Sequence, residues 1–471
     1  MNVARRTDAG PSGGAPLARA GAAIADFCER YFPDALVFAL AAVLLVFAAG
    51  LLLGETPLKL VGEFGRGFWG LVPFTMQMAL VIIGGFVVAI SPPLARLIRR
   101  LARIPKTGRG AVAFVAFFAM LASLLSWGLS LVFTGLLVRE IAVRMKGIDY
   151  RALCASAYLG LGSVWALGLS SSAALLQATP SAIPKELLPV TGVIPLSQTI
   201  FLWQSALMAV VLIAVSVAVA YASCPGEGRA RTAEAMGVRF QDPSIEIPKP
   251  RTPADRLENS PILGTIIGLL MLSFLVLEFR GTSLAASLNL NNFNFAFLAL
   301  GLLLHRRVNS FLQAVARAVP ATGGVLIQFP FYAGIFGIIS NTAIQPLMAD
   351  LFVKITTRGT FPLVVALYSA VLGLFIPSGG GKWVIEAPYV MAAANAWQAH
   401  LGWTVQIYNA AEALPNLINP FWMLPLMGIL HVRARDLAGF SILQLAFHVP
   451  VVFLLCWLLG MTLPYAPPIP P

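Results

Sequence analysis

Charge is scarce in this chain. Asp, Glu, Lys and Arg make up 11% of its 471 residues, where a soluble domain carries about 25%. That deficit excludes an ordinary water-soluble protein. Cysteine is nearly absent: Cys28, Cys154, Cys224 and Cys456 are scattered without metal-ligand or redox spacing, so neither a disulfide framework nor a metal site is expected. The histidines His305, His400, His431 and His448 lie far apart. There is no His-Glu-x-x-His and no Gly-x-Ser-x-Gly elbow. Gly381-Lys382 is followed by Trp383, and position 376 is Ile, so no phosphate-binding P-loop is present. An intramembrane serine hydrolase would need a serine beside a buried base, and His448 is the sole candidate base. These gaps argue against an enzyme, and no cofactor is expected.

What is abundant is apolar sequence. Hydrophobic residues make up 58% of the chain, and the mean hydropathy is +0.82. The expected fold class is an all-α polytopic membrane protein embedded in a lipid bilayer. The formal charge of +12 sits in short basic blocks between apolar segments, which is a topology signal; no nucleic-acid partner is expected. Residues 1–26 read as a disordered arm. They do not read as a signal peptide, because the first apolar segment, Ala35–Leu53, is long enough to span and no small-residue cleavage site follows.

Stretches of about 20 apolar residues can cross the hydrocarbon core. The candidates are Ala35–Leu53, Phe68–Ile90, Ala152–Leu176, Ile200–Ala222, Ile262–Leu277, Leu284–Leu304, Thr322–Ile339, Ile407–Leu430 and Leu437–Leu458. Two further apolar stretches are interrupted. Ala111–Val138 breaks at Ser126-Trp127-Gly128, and Phe361–Gln398 breaks at Pro377-Ser378-Gly379-Gly380-Gly381. If each interrupted stretch crossed once, Lys and Arg would divide almost evenly between the two faces. If each dips in and returns, only Lys59, Arg66, Lys185, Arg280, Lys354 and Arg358 fall outside. The positive-inside rule selects the second arrangement. Length supports it too: the first stretch is short for two crossings and the second long for one. The expectation is therefore about nine transmembrane helices and two re-entrant hairpins, with the N-terminus cytoplasmic. The hairpins, 111–138 from inside and 361–398 from outside, make the halves 27–222 and 261–463 an inverted-topology repeat. Residues 223–260 form a solvated cytoplasmic connector, and 464–471 a tail.

Paired breaks in two halves point to a transporter's binding site. At each tip a fresh helix N-terminus presents unpaired N–H groups and a positive dipole end, suited to an anion. Gly379, Gly380 and Gly381 let backbone approach a ligand closely, and Ser378 adds a hydroxyl; Ser126 and Gly128 play the comparable part in the first tip. Trp127 and Trp383 flank the tips and could wall an apolar pocket, or simply pack. Each half also has a polar crossing. One carries Gly160, Gly162, Ser163, Gly168 and Ser170–Ser172; the other carries Glu412, Pro415, Asn416, Asn419 and Pro420. An ionisable Glu412 within a crossing is costly and defaults to a functional role: proton carriage, cation coordination, or a pair with Lys382. Glu386, four residues after Lys382, is the local partner expected for that lysine.

The run Gln328-Phe-Pro-Phe-Tyr-Ala-Gly334, the tip Pro377-Ser-Gly-Gly-Gly-Lys-Trp-Val384 and Asn419-Pro-Phe-Trp422 resemble the bacterial short-chain fatty acid transporter family. So do Pro33-Asp34, Gly67-Phe-Trp69 and Met76-Gln-Met-Ala-Leu80. The resemblance runs from about Phe27 to the last crossing. It implies uptake of acetoacetate, butyrate or similar acids across the bacterial cytoplasmic membrane, and a place near an ion-transporter superfamily with two-hairpin inverted repeats. By resemblance the glycine tip falls on Gly379–Gly381, the membrane glutamate on Glu412 and the following amide on Asn416. The chain departs from the family at Lys382, where His is frequent, at Glu386, and at Asn419, where Gln is familiar. The resulting reading is a short-chain monocarboxylate transporter coupled to H+ or Na+. Ser126, Trp127, Gly128, Ser378, Gly379, Gly380, Gly381 and Trp383 hold substrate, Glu412, Asn416 and Asn419 serve the coupling ion, and a homodimer contact lies on the remaining helices. The rivals are a dicarboxylate or other organic-anion carrier, a channel-like pore, and a sensor.

Overall fold

A computed structural model describes residues 35–226, 230–240, 251–280, 288–376 and 378–469. The N-terminal arm, Cys28, Asp34, Pro377 and the end of the tail lie outside the described residues. Secondary structure is helical throughout them, apart from one isolated bridge between Gly192 and Ile469. The first half comprises α1 (Ala35–Leu52), α2 (Pro57–Phe68), α3 (Val72–Ala89), α4 (Pro92–Leu101), α5 (Gly108–Leu125), α6 (Trp127–Arg144), α7 (Tyr150–Leu159), α8 (Ser172–Ala178) and α9 (Trp203–Ser223). A short α10 (Pro253–Glu258) precedes α11 (Pro261–Glu278) and α12 (Leu290–His305). Then follow α13 (Val308–Ala318), α14 (Gly323–Ser340), α15 (Ile344–Ile355), α16 (Phe361–Phe375), α17 (Gly379–Ala396), α18 (Leu401–Asn416), α19 (Pro420–Leu430) and α20 (Ala434–Gly460).

The order of elements from α2 to α9 is met again from α13 to α20. Each run has a short amphipathic helix, a long apolar one, a second short helix, two helices joined at a tight tip, a broken crossing and a final long helix. The four short helices were not legible as crossings because their polar face is too wide for lipid. In α4, for instance, Ile98 is buried while Arg96, Arg99 and Arg100 stay exposed.

Seven helical stretches among the described residues are long and apolar enough to cross a membrane. All but one coincide with an expected crossing; the exception is α5, an arm of the first hairpin. Of the remaining expected crossings, Ala39–Leu52 and Leu290–His305 are shorter apolar helices, and Ile407–Leu430 is interrupted between α18 and α19. The first hairpin also differs from expectation. Its arms are 18 residues each, about 27 Å of helix apiece, because α6 continues through Arg139 to Arg144. The charge-free run marked only part of it, so shortness no longer separates a hairpin from two crossings. The charge distribution remains as the argument.

Helix caps set these boundaries. Thr107 Oγ1 accepts from Gly110 N–H at 3.1 Å, Asp149 Oδ1 from Ala152 N–H at 3.0 Å, and His400 Nδ1 from Trp403 N–H at 3.0 Å, each satisfying an otherwise orphaned donor. The connector is less detached than its composition suggests. Arg231 N–H donates to the buried carboxylate of Asp149 at 3.0 Å, and Arg231 C=O accepts from Tyr150 N–H at 2.8 Å. This stretch therefore docks against the start of α7. Further along the chain, α10 has a capping box in which the Arg251 and Thr252 amides hold the Asp255 carboxyl below its ordinary value.

Candidate functional site

The first tip is one residue long. Ser126, in extended backbone, ends α5 and caps α6, its Oγ accepting from Leu129 N–H at 3.3 Å. Trp127 N–H, the first orphan donor of α6, reaches Ser170 Oγ at 2.9 Å. The tip lies directly against α3 because Gly85 has no side chain. A Cβ there would sit 2.7 Å from Leu129 N and 2.8 Å from Ser126 Oγ, both within the tip. Gly85→Ala should therefore push α3 and the tip apart and cost about 1–3 kcal/mol as overpacking. A lowered thermal unfolding midpoint of the purified protein is the expected result; an unchanged midpoint contradicts the close approach.

At the second tip Ser378 caps α17, its Oγ accepting from Gly381 N–H at 3.1 Å while its carbonyl accepts from Lys382 N–H at 2.9 Å. The amides of Gly379 and Gly380 fall in the first turn, where no intrahelical acceptor exists. All three glycines are buried. Gly379 lies against Trp165 and Gly381 against Tyr332, and a Cβ on Gly380 would meet Phe74 Cζ at 2.7 Å and Ser172 Cβ at 3.2 Å. Tyr408 O–H donates to Gly379 C=O at 2.6 Å and fixes the turn.

The two tips are joined by the broken crossing of the first half. After α7 the chain widens through a π turn, Gly160–Val164, tightens through a 3₁₀ turn, Trp165–Leu167, and leaves helical geometry at Gly168. Such interruptions are stable at membrane depth only when their freed backbone groups find partners. Here Leu169 N–H donates to Leu124 C=O at 2.7 Å. Ser170 holds the first tip and Ser172 lies beside the second. The serine triplet thus connects both tips. In the second half, α18 ends at Asn416, whose carbonyl accepts from Tyr158 O–H at 2.6 Å.

Between the tips is a cavity of about 620 Å³. Trp127 and Gly128 line it from the first tip and Ser378 from the second, with Gln328, Phe329 and Trp422 completing much of the wall and Arg317 also present. Trp127 and Trp422 meet edge to face at 5.8 Å. The structure therefore brings together Trp127, Gly128 and Ser378, with Ser126 buried behind them. Gly379–Gly381 shape the second tip without lining the cavity. Trp383 lies elsewhere: fully buried, its ring packs 4.8 Å from that of Tyr408. Gln328, Phe329 and Trp422 were not among the expected site residues, although the two runs Gln328–Gly334 and Asn419–Trp422 contain them.

A second polar cluster lies within α16, α17 and α18. Lys382 Nζ is 3.2 Å from Glu386 Oε1, and both side chains are fully buried. Nζ also donates to Ser369 C=O at 2.6 Å and sits 4.5 Å from the Tyr408 ring centre. Ser369 Oγ donates to the other Glu386 oxygen at 2.6 Å. The expected local pair is present, and it turns Lys382 away from any role as a free cation at the tip. Glu412 is different. It is fully buried, and among the described residues neither of its carboxylate oxygens has a hydrogen-bond partner. One turn along, both side-chain atoms of Asn416 are likewise unpartnered. Asn419 is buried just beyond.

One arrangement resembles hydrolase chemistry at first sight. Ser216 Oγ is 2.9 Å from His448 Nε2, and His448 Nδ1 meets Gln444 C=O at 2.7 Å. A carbonyl stands where a triad would place a carboxylate. Serine and histidine are buried between α9 and α20, and the nearby cavity, beside Gln444, measures only about 10 Å³. The pair tethers two helices.

Comparison with known proteins identifies the family. The family profile described as Short chain fatty acid transporter matches residues 16–459. A relative from Escherichia coli (strain K12), provisionally named a short-chain fatty acid transporter, is 36% identical over 93% of this chain and 97% of its own. One from Haemophilus influenzae, with the same provisional name, is 33% identical over 92% and 98%. Among solved structures, the YdaH transporter of Alcanivorax borkumensis, described as having an unusual topology, superposes with a TM-score of 0.58 at 17% identity, covering 92% of this chain and all of that one. MtrF of Neisseria gonorrhoeae, described within a class of antimetabolite efflux pumps, gives 0.60 at 14% over 96% of this chain and all of that one. At such identities these two inform the fold alone.

Proposed function

Because the chain belongs to the short-chain fatty acid transporter family, a family of transporters and not of enzymes, we propose that it carries short-chain monocarboxylates such as acetoacetate or butyrate across the bacterial cytoplasmic membrane by secondary active transport. The observation that supports this most is the cavity of about 620 Å³ on which both tips converge. The carboxylate lies at the N-terminus of α6, beside the Gly128 amide, and faces Ser378, the cap of α17, so that both helix dipoles favour it, with Gln328 as a polar neighbour. The tail lies against Trp127, Trp422 and Phe329. In this reading α5–α6 and α16–α17 are re-entrant hairpins entering from opposite faces, the N-terminus is cytoplasmic, and the two halves form an inverted repeat.

Glu412 and Asn416 form the coupling site. A carboxylate and an amide side chain in the dry interior, each without a partner among the described residues, suit a proton on Glu412 or a Na+ ion taking oxygen ligands from both. The remaining helices expose broad apolar faces, α11 above all, to lipid or to a second copy in a homodimer.

The test is counterflow in proteoliposomes loaded with unlabelled acid, with labelled acetoacetate, butyrate or succinate outside. Counterflow of acetoacetate and butyrate, without succinate, is expected. Counterflow of succinate alone contradicts the monocarboxylate assignment, and non-saturating flux would indicate a pore.

A further inference from the structure

The tip cavity is large for the acids the family is named for. Pockets of roughly 300–1,000 Å³ bury most of a drug-sized ligand, and this one measures about 620 Å³. Its walls are largely apolar away from the tips. Ile82 and Phe86 of α3, Leu131 and Val132 of α6, and Pro425 and Ile429 of α19 carry the cavity beyond Trp127 and Ser378. A butyrate anchored by its carboxylate at the tips would leave these side chains in contact with water. Nothing polar on them compensates for that hydration.

Resting on the monocarboxylate reading, we infer that the site accepts medium-chain and aryl-substituted monocarboxylates, such as octanoate and phenylacetate, and binds them more tightly than butyrate. The head is held at the tips as proposed, while the added methylenes or the ring displace water from the α3, α6 and α19 walls. Each buried methylene contributes about fourfold in affinity at the usual transfer free energy. Octanoate should therefore bind at least about tenfold more tightly than butyrate even if only half of its extra tail is buried. The edge-to-face pair Trp127–Trp422 offers an aromatic wall on which a phenyl ring can pack.

The test is competition against labelled butyrate bound to the purified protein in lipid nanodiscs, with counterflow of butyrate in proteoliposomes run in parallel. Butyrate, hexanoate, octanoate and phenylacetate are compared at one pH, with octan-1-ol as a control of equal tail and no carboxylate. The expected result is a half-inhibiting concentration that falls steadily from butyrate to octanoate. Octan-1-ol should compete far more weakly than octanoate. Val132→Phe, which fills the far wall, should narrow the octanoate-to-butyrate ratio; the chain-length series in the unmodified protein carries the test if that variant does not fold. Flat or rising values from butyrate to octanoate, with butyrate counterflow intact, overturn the inference and leave the transport reading standing. Equal competition by octan-1-ol and octanoate also overturns it, since the tail would then bind without the tips. Absence of both butyrate binding and butyrate counterflow overturns the transport reading and the inference together.

Discussion

Replacing Glu412 by Gln is expected to abolish gradient-driven accumulation of butyrate while leaving exchange of internal for external butyrate intact. With both carboxylates ionised, Lys382, Glu386 and Glu412 leave one uncompensated negative charge in the interior of the bundle. The lysine and Glu386 satisfy one another and Ser369, so the surplus resides on Glu412, whose oxygens have no partner. An isolated buried carboxylate is too costly to persist, and it must take up a proton or a cation. That need is what links ion and substrate movement. Glutamine has the same shape without the charge, so the variant behaves as permanently loaded: it can change access with substrate bound, but it has no ion cycle to drive net uptake. Proteoliposomes with pH and Na+ gradients imposed separately provide the measurement, and the gradient that drives the unmodified protein identifies the ion. Accumulation by Glu412→Gln equal to that of the unmodified protein removes Glu412 from coupling.

Lys382→Met is expected to have the largest effect on stability. Among the described residues the ammonium group is the positive charge paired with Glu386, and it holds the two arms of the second hairpin together through Ser369 of α16. Removing one member of a buried pair leaves the other uncompensated and costs about 3–5 kcal/mol. Neutralising both members avoids that penalty, so the double variant Lys382→Met with Glu386→Gln should regain most of the loss. Thermal unfolding of the single and double variants in detergent or nanodiscs checks this. A single variant as stable as the parent, or a double variant less stable than the single, contradicts the structural role of the pair.

Much of this arrangement was readable in the sequence, for identifiable reasons. Long apolar runs and basic blocks located the main helices, because lipid tolerates neither exposed backbone nor charge. Ser126 and Ser378 stood out because a polar residue with glycine interrupts an otherwise apolar stretch, and the structure makes both of them helix caps. The Lys382–Glu386 pair followed from helical spacing alone. Other features depend on tertiary contacts that local sequence does not encode. The glycines and serines from Gly160 to Ser172 marked a polar crossing, but not the π and 3₁₀ turns within it or the break at Gly168, since such turns need no distinctive composition. The amphipathic helices α2, α4, α13 and α15 did not stand out because, at 10–12 residues, they are too short to register as crossings. Gln328, Phe329 and Trp422 reach the cavity only through the packing of α14 and α19 on the tips, and Trp383 is drawn away from it by Tyr408. The pairing of Ser216 with His448 joins residues far apart in the chain.

The central claim is that the two tips face one substrate, and protection from alkylation tests it most directly. Gly128→Cys and Ser378→Cys are each introduced into a chain whose four native cysteines have been replaced, and the rate of reaction with a small maleimide is followed in proteoliposomes. Butyrate should slow the reaction at both positions over the same concentration range, and succinate should slow neither. Protection at one tip only would contradict a shared site, and protection at neither while butyrate counterflow proceeds would show that the substrate binds elsewhere.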